Sequence, residues 1–484
     1  MARATIFLRC GAGVERAVRS RVTYAFRVFA AIYNYKVAAS AESAEFCCVY
    51  GKPSGAGCAG DSLTIPALYS PRVRPHAMPA LKRIRYANED LYLVYGVDPV
   101  TGNPDWLGEI FEWLSCGLEL SIETRDAVGR IPYRETVFAK QAVSPLKPYA
   151  ALLMAWMDNV LQNRGAVEAL PKAASPVSPI EHLVVCSHDI DFHFTGRATA
   201  FGRLSKNLGI SLTKYRSPSF LASNVRMLAG LACNRRPGEY VGRMLQEIEK
   251  RGFRSTLFAV AEPSHRRDPS YRLSDIEPQL RDAAARGFSV GLHGSYSAII
   301  EGDSLARETT SLERSIGRKP LGNRQHWLRF DSPAKLFRAV ERAGLLYDSS
   351  LGFAEMCGFR NGANFAFPPY DFEREEPYPV LEIPLVIMDG SLPAAARALK
   401  ATAQELCDQL FRESRKWGWG GIGILWHNPM EAIQVPEEIN RVFWASADKR
   451  HRYAERWMSA DQFLLAALCR YQEAGLLEET RFHA

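Results

Sequence analysis

Acidic, imidazole and guanidinium side chains stand at the C-terminal ends of short apolar runs in the second half of this 484-residue chain. Asp189 and Asp191 close one run, His293 another, Arg324 and His326 a third, Asp348 a fourth and His427 the last. Residues two apart on a strand point the same way, so Asp189 with Asp191, and Arg324 with His326, each share a face. Two carboxylates forced together resist joint ionisation unless a cation lies between them, or one binds a metal while the other accepts a proton. The second arrangement suits hydrolysis. Zinc and similar cations take histidine nitrogen and carboxylate oxygen, three protein ligands leave a position open for water, and bound water loses its proton near neutral pH.

For these groups to meet, the runs carrying them must be parallel strands. They are "HLVVCSHDID" (182–191), "STLFAV" (255–260), "FSVGLHGS" (288–295), "LGNRQHW" (321–327), "LLYDSS" (345–350), "VLEIPLVIMD" (380–389) and "GIGILWHN" (421–428). Amphipathic helical stretches separate them, such as Ser274 to Arg286 with Ile276, Leu280, Ala283 and Ala284 on one stripe, and Pro333 to Ala343. Strand, helix, strand is the rhythm of crossover connections, which bring strand ends to the one mouth where barrels and open α/β folds hold their sites.

The first 170 residues read differently. Val14 to Tyr35 has helical apolar spacing, followed by strand-like "FCCVYG" and "LTIPALY" and by helical "LGEIFEWLSCGLEL" and "PYAALLMAWMDNVLQN", with no catalytic set among them. The stretch "LPKAASPVSPIEH", with Pro171, Pro176 and Pro179, favours neither helix nor strand and marks a linker. The expected organisation is a small α/β accessory domain over 1–170 and a second α/β domain over 180–484.

A chain 47% hydrophobic and 23% charged is not disordered, and no run of about eighteen apolar residues is present to span a membrane. Met1 to Arg21 carries Arg and Glu where a secretory signal needs an apolar stretch, so the expectation is a soluble cytoplasmic protein. Ten scattered cysteines without a Cys-x-x-Cys pair exclude a zinc knuckle or disulfide scaffold. The net charge of +7 is spread, and no nucleic-acid partner is expected. One local basic bias runs from Arg197 to Arg236, through Lys206, Lys214, Arg216, Arg226 and Arg235; a solvated surface and a polyanion or membrane-surface contact both account for it.

Seven motifs, in order over about 250 residues, give the chain a resemblance to the polysaccharide deacetylase, or NodB-homology, superfamily of carbohydrate esterases, in a divergent branch. They read "HDID" (188–191), "GLHGSY" (291–296), "RQHWLR" (324–329), "YDSSLG" (347–352), "GFR" (358–360), "EIPL" (382–385) and "LWHN" (425–428). "DAVGRIP" (126–132) is similar to the domain that precedes this branch. The resemblance implies a distorted (β/α) barrel of fewer than eight repeats, a divalent metal such as zinc, and hydrolysis of an acetyl group on a saccharide of the cell surface.

By motif position, the resemblance makes Asp189 the general base, Asp191 and His293 metal ligands, His427 the general acid and Arg324 the residue that orients the base. Where better-known members have a second histidine four residues after the first, this chain has Ser297. His326 is the expected replacement, with His188 and His193 as fallbacks, and the roles of Asp189 and Asp191 are open to exchange. Arg360, Tyr296, Trp327 and Asp348 are the substrate-binding candidates, while Glu382 and Asp389 read as structural. Two other functions fit the same residues: a catalytically silent glycan-binding or assembly barrel, suggested by Ser297, and a metal amidohydrolase of a small C–N substrate.

Overall fold

The computed structural model describes residues 4–52, 62–70, 78–164, 182–194, 196–233, 240–300, 302–417 and 420–478. The linker expected around Pro171 to Pro179 lies outside them. The chain opens with β1 (Thr5–Cys10), β2 (Lys36–Val37), β3 (Phe46–Tyr50) and β4 (Ser62–Ile65), paired in parallel in the order β2-β1-β3-β4. Parallel neighbours need a crossover. The helix Arg16–Tyr33 supplies the first, burying Val18, Val22, Ala25, Phe26 and Phe29 and ending at Asn34 in the left-handed region. β5 (Lys82–Tyr86) and β6 (Glu89–Leu93) form an antiparallel hairpin whose two turn residues, Ala87 and Asn88, both have positive φ, as a tight hairpin requires. Helices Trp106–Leu114 and Tyr149–Asn163 follow.

The larger sheet is built on β7 (His182–Ile190), all nine residues of which are buried. A near-continuous apolar run with both faces covered is what an interior parallel strand needs. Around it stand β8 (Thr256–Ala259), β9 (Ser289–Gly294), β10 (Gly322–Gln325) and β11 (Tyr347–Asp348). A small hairpin, β12 (Tyr370–Asp371) with β13 (Glu376–Pro377), precedes β14 (Leu381–Glu382), β15 (Leu385–Met388), β16 (Gly420–Leu425) and β17 (Glu455–Met458). The order is β14-β11-β10-β9-β8-β7-β16-β15, every pair parallel, with β17 also against β7.

The two ends of that order, β14 and β15, are consecutive on the chain, separated only by Ile383 and Pro384. Proline has no N–H to donate, and here the segment changes partner. Ile383 N still donates to Asp348 O at 2.8 Å on one side, whereas Pro384 O accepts from Gly423 N at 2.7 Å on the other. The sheet therefore curls onto itself as a distorted (β/α) barrel with fewer than eight staves, since β14 and β15 share one. All strands run the same way, so Asp189, Gly294, Gln325, Asp348, Met388 and Leu425 come to one rim.

A single hydrophobic core takes residues from both halves of the chain, joining Phe26, Phe29 and Trp106 to Phe359, Phe365 and Tyr471. Backbone bonds cross between them, from Phe359 N to Pro145 O at 2.8 Å and from Ala150 N to Gly362 O at 2.9 Å. Among the described residues, no helix is long and apolar enough to cross a membrane.

Candidate active site

Strand alternation sorts the residues of β7. Ser187 and Asp189 face the barrel interior, where Arg324 reaches both, at 2.7 Å to Ser187 Oγ and 3.0 Å to Asp189 Oδ1. His188, one residue out of phase, points to the opposite face, donating from Nδ1 to Trp426 O at 2.6 Å and packing edge-on to Phe443. Burial there lowers its pKa to about 4. It is no ligand.

Just past the strand, Asp191 comes to the rim with His293 from β9 and His326 from the turn after β10. His293 Nε2 is 3.5 Å and His326 Nε2 3.7 Å from Asp191 Oδ1, and one ligand atom from each of the three residues lies within 4.8 Å of the other two. His427, after β16, brings its Nε2 to 3.6 Å from Asp191 Oδ2, and Asp189 Oδ2 is 3.6 Å from His293 Nε2. Gln434 Nε2 donates to Asp191 Oδ2 at 3.1 Å.

Each histidine is fixed through its other nitrogen. His293 Nδ1 is 2.7 Å from Arg324 O, His326 Nδ1 is 3.1 Å from Asp268 Oδ1, and His427 Nδ1 is 2.7 Å from Asp389 Oδ1. A carbonyl or carboxylate only accepts, so every Nδ1 carries the proton and, in the neutral ring, every Nε2 offers a lone pair. Those of His293 and His326 face Asp191 Oδ1, a buried oxygen that receives no hydrogen bond, whereas His427 Nε2 faces Oδ2. Lone pairs opposed across about 3.6 Å repel unless a proton or a cation lies between them.

The residues fit a cation. Ligand bonds of about 2.0–2.1 Å in a tetrahedral site put ligand atoms about 3.3 Å apart, a few tenths of an ångström inside the observed spacings of 3.5 and 3.7 Å. Nitrogen, nitrogen and carboxylate oxygen, with each imidazole held by an outer acceptor, is the donor set of a catalytic zinc centre. His326, from the turn after β10, is thus the second histidine of the cluster. Ser297 lies in the turn after β9, where its carbonyl accepts from Ile300 N at 2.9 Å, and neither Ser297 nor His188 or His193 belongs to the three-residue cluster.

The electrostatics divide acid from acceptor. Burial alone would raise the Asp191 carboxyl, but the facing His293, His427 and His326 reverse this and hold it below the usual range. For His293, burial opposes charge and Asp189 with Asp191 outweighs it, raising the pKa. His427 behaves likewise more strongly. Burial would lower it, while Asp389, which also accepts from the His427 backbone N–H at 3.0 Å, and then the two aspartates lift it to about 10. His427 is therefore a protonated, oriented donor at neutral pH.

These groups line a cavity of about 330 Å³, with Leu328, Met388 and Leu425 as apolar floor and Arg130, Arg203, Tyr215, Trp327 and Gln434 in its walls. Trp327 and Leu328 both hold positive φ, 64° and 49°, an unusual pair that turns the Trp327 indole to the rim, where it is 44% exposed. Arg130, from "DAVGRIP", donates to Trp327 O at 2.9 Å and so brings the first segment of the chain to the rim.

Three substrate-binding candidates lie elsewhere. Asp348 is fully buried on the face of the sheet opposite Arg324, its carboxyl taken by Asn323 Nδ2 at 2.7 Å and Ser350 N at 2.8 Å. Arg360 is held as a two-pronged pair by Glu119, at 2.9 and 2.7 Å, and donates to Gly352 O at 2.8 Å, bracing the first segment against the barrel. The Tyr296 ring is already covered by His265, stacked at 4.3 Å, and by Arg329 at 4.2 Å. Asp389, read from sequence as structural, instead carries His427, and its place at the end of the run 380–389 was the available signal. Asp268, which fixes His326 from a loop, gave none.

No family model matches the chain, and no curated protein does. Among solved structures it is similar to a Mycobacterium smegmatis protein assigned as a polysaccharide deacetylase, with 16% identity over 60% of this chain and 91% of that one, at a TM-score of 0.37. It is also similar to the polysaccharide deacetylase Bc1974 from Bacillus cereus, with 10% identity over 58% and 92%, at 0.29. A third is the 4-alpha-glucanotransferase from Thermococcus litoralis, with 12% identity over 59% and 40%, at 0.35. Polysaccharide deacetylases are thus among the solved structures this chain is similar to, at values that leave the chemistry to be read from its own residues.

Proposed function

We propose that the protein is a metal-dependent hydrolase that removes an acetyl group from a saccharide. The observation that carries this reading is the unpaired Asp191 Oδ1 facing the Nε2 atoms of His293 and His326, whose Nδ1 atoms are both committed to outer acceptors. A divalent cation held by these three residues, zinc by donor type, supplies a Lewis acid that acidifies water and polarises a carbonyl.

The chain's own groups do the proton work. Asp189, held by Arg324 through Oδ1, keeps Oδ2 toward the cavity and accepts the proton of the attacking water. Arg324 is itself fixed by Ser187 and by the carbonyl and hydroxyl of Ser349, so the base is oriented through three strands. His427, on the far side of Asp191 and kept protonated by Asp389, donates to the departing sugar nitrogen or oxygen. Trp327 offers an apolar face for a sugar ring at the rim, and a cavity of about 330 Å³ matches a small-molecule site that admits one unit of a longer chain.

Acetate release from acetylated saccharides by the zinc-loaded protein tests the reading. The wild type releases acetate and Asp189→Asn loses about 10²–10⁴-fold in kcat while still binding zinc. Zinc bound without acetate release from any acetylated saccharide, but with turnover of a small amide, would move the reading to an amidohydrolase, and no metal bound at all would leave a silent binding barrel.

A further inference from the structure

From Phe192 to Gly238 the chain carries eight Lys and Arg and no Asp or Glu. Most of this stretch is a helical hairpin inserted between β7 and β8. Helix Arg197–Ile210 runs into a π turn at Ser211–Tyr215, and helix Pro218–Ala232 returns against it. The inner faces are accounted for. Ala200, Leu204, Phe220 and Leu231 are buried, Asn207 Nδ2 donates to Asn224 Oδ1 at 2.8 Å and to Ile433 O at 2.7 Å, and Arg203 and Tyr215 reach the wall of the active-site cavity.

The outer faces have no such account. Phe201 is 60% exposed, Leu212 64% and Val225 51%, among the largest apolar exposures in the described chain. Phe201, Leu208 and Leu212 fall at helical spacing on one stripe, and Lys206, Arg216 and Arg226 are exposed beside them. On the second helix the outer stripe is Ala222, Val225, Ala229 and Ala232. Glu438, an acid that meets the turn between the two helices, accepts from Ser217 and Ser219.

We infer that this hairpin docks the protein on the surface of an anionic lipid bilayer. A bilayer interface offers an anionic layer above an apolar one, which is what a hairpin with no acid of its own, basic and studded with Phe201, Leu212 and Val225, complements. A nucleic-acid backbone would satisfy the cations and leave the apolar side chains in water. A second copy seated on the same face would oppose cation to cation, and Glu438 at the turn is already taken up by Ser217 and Ser219. The inference stands apart from acetyl hydrolysis, since docking is measured without any saccharide.

Co-sedimentation of the full chain with vesicles of phosphatidylglycerol and phosphatidylcholine, against phosphatidylcholine alone, is the test. The protein pellets with the anionic vesicles and is released as salt screens the surface. Lys206→Ala with Arg226→Ala weakens the partition about fivefold per charge removed. Phe201→Ser, Leu212→Ser and Val225→Ser together weaken it by about tenfold or more. All five positions are exposed and off the cavity, so these variants keep the wild-type melting temperature and their catalytic activity on soluble substrate. No pelleting with anionic vesicles overturns the inference, as does pelleting that neither variant set alters. Retention on heparin without vesicle binding would make the surface a polyanion site, and a dimer lost in the serine variant without vesicle binding would make it a self-interface; either result also overturns it.

Discussion

Two pairs of carboxyl groups sit at strand ends in this barrel, and they have opposite fates. Asp189 and Asp191 close β7, while Asp348 and Glu382 are register partners across β11 and β14. Both pairs include fully or nearly fully buried acids. Around the first stand Arg324, His293, His326 and His427, and Asp191 is held below the usual carboxylate range. The hydrogen bonds to the second come from neutral donors, Asn323 Nδ2 and the backbone N–H groups of Ser350 and Leu351. Burial raises Asp348, and burial with Asp348 beside it pushes Glu382 well above its ordinary value. Residue type and strand position are shared. What differs is the partner opposite, and the one cation near both, Arg324, turns its fork to Asp189, Ser187 and Ser349.

The largest expected effect comes from emptying the first pair of its partners. Asp191→Asn combined with His293→Ala abolishes stoichiometric zinc uptake, read by elemental analysis of the dialysed protein, and with it acetate release. Asp189→Asn alone keeps the metal and loses about 10²–10⁴-fold in kcat. Asp348→Asn, by the same comparison, leaves kcat within about threefold, since neutral donors surround it already; a loss as deep as that of Asp189→Asn would erase the distinction between the two pairs.

Asp389→Asn comes next. It removes the carboxylate that holds the proton on His427, so kcat falls about 10–100-fold with KM little changed. The sign of the accompanying pH effect is fixed. His427 is raised to about 10 chiefly by Asp389, so without it the proton leaves at lower pH and the alkaline limb of the kcat profile moves down. An unmoved limb would mean that another group is the acid.

Local spacing made the first pair legible and hid the second. Asp189, Asp191, His293, Arg324, His326 and His427 could be found because each ends an apolar run, and parallel strands have only one rim at which to gather such ends. Barrel closure is not legible in "VLEIPLVIMD", which reads as one run and which Pro384 divides between two neighbours in the fold. Asp348 satisfied the same rule of position and is taken up by Asn323, while Arg360, singled out by motif resemblance alone, is taken up by Glu119; in both cases the partner is far away in sequence. Asp268 and Arg130 come from loops with no periodicity to announce them, and their contacts with His326 and Trp327 exist only once the chain is folded.

The smallest effect is also the sharpest test of the comparison, because it reads the second pair alone. A carboxyl whose folded pKa lies above its unfolded value stabilises the fold fully below the unfolded pKa, about 4.3, and loses that contribution as pH rises toward the folded value. Glu382 is such a group, since burial and Asp348 push it up. Glutamine mimics its protonated form, keeps an oxygen for the Leu351 N–H, and has no proton to lose. The Glu382→Gln variant therefore melts close to wild type near pH 4.5 and above it at pH 8, the gap opening by up to about 1.4 kcal/mol per pH unit across the window. Apart from Asp348, whose titration is linked to that of Glu382, the other titrating groups are common to the two proteins and cancel in the difference. A gap that stayed constant, or closed as pH rose, would mean that Glu382 is ionised in the fold, and the two pairs would then be alike in charge as well as in position.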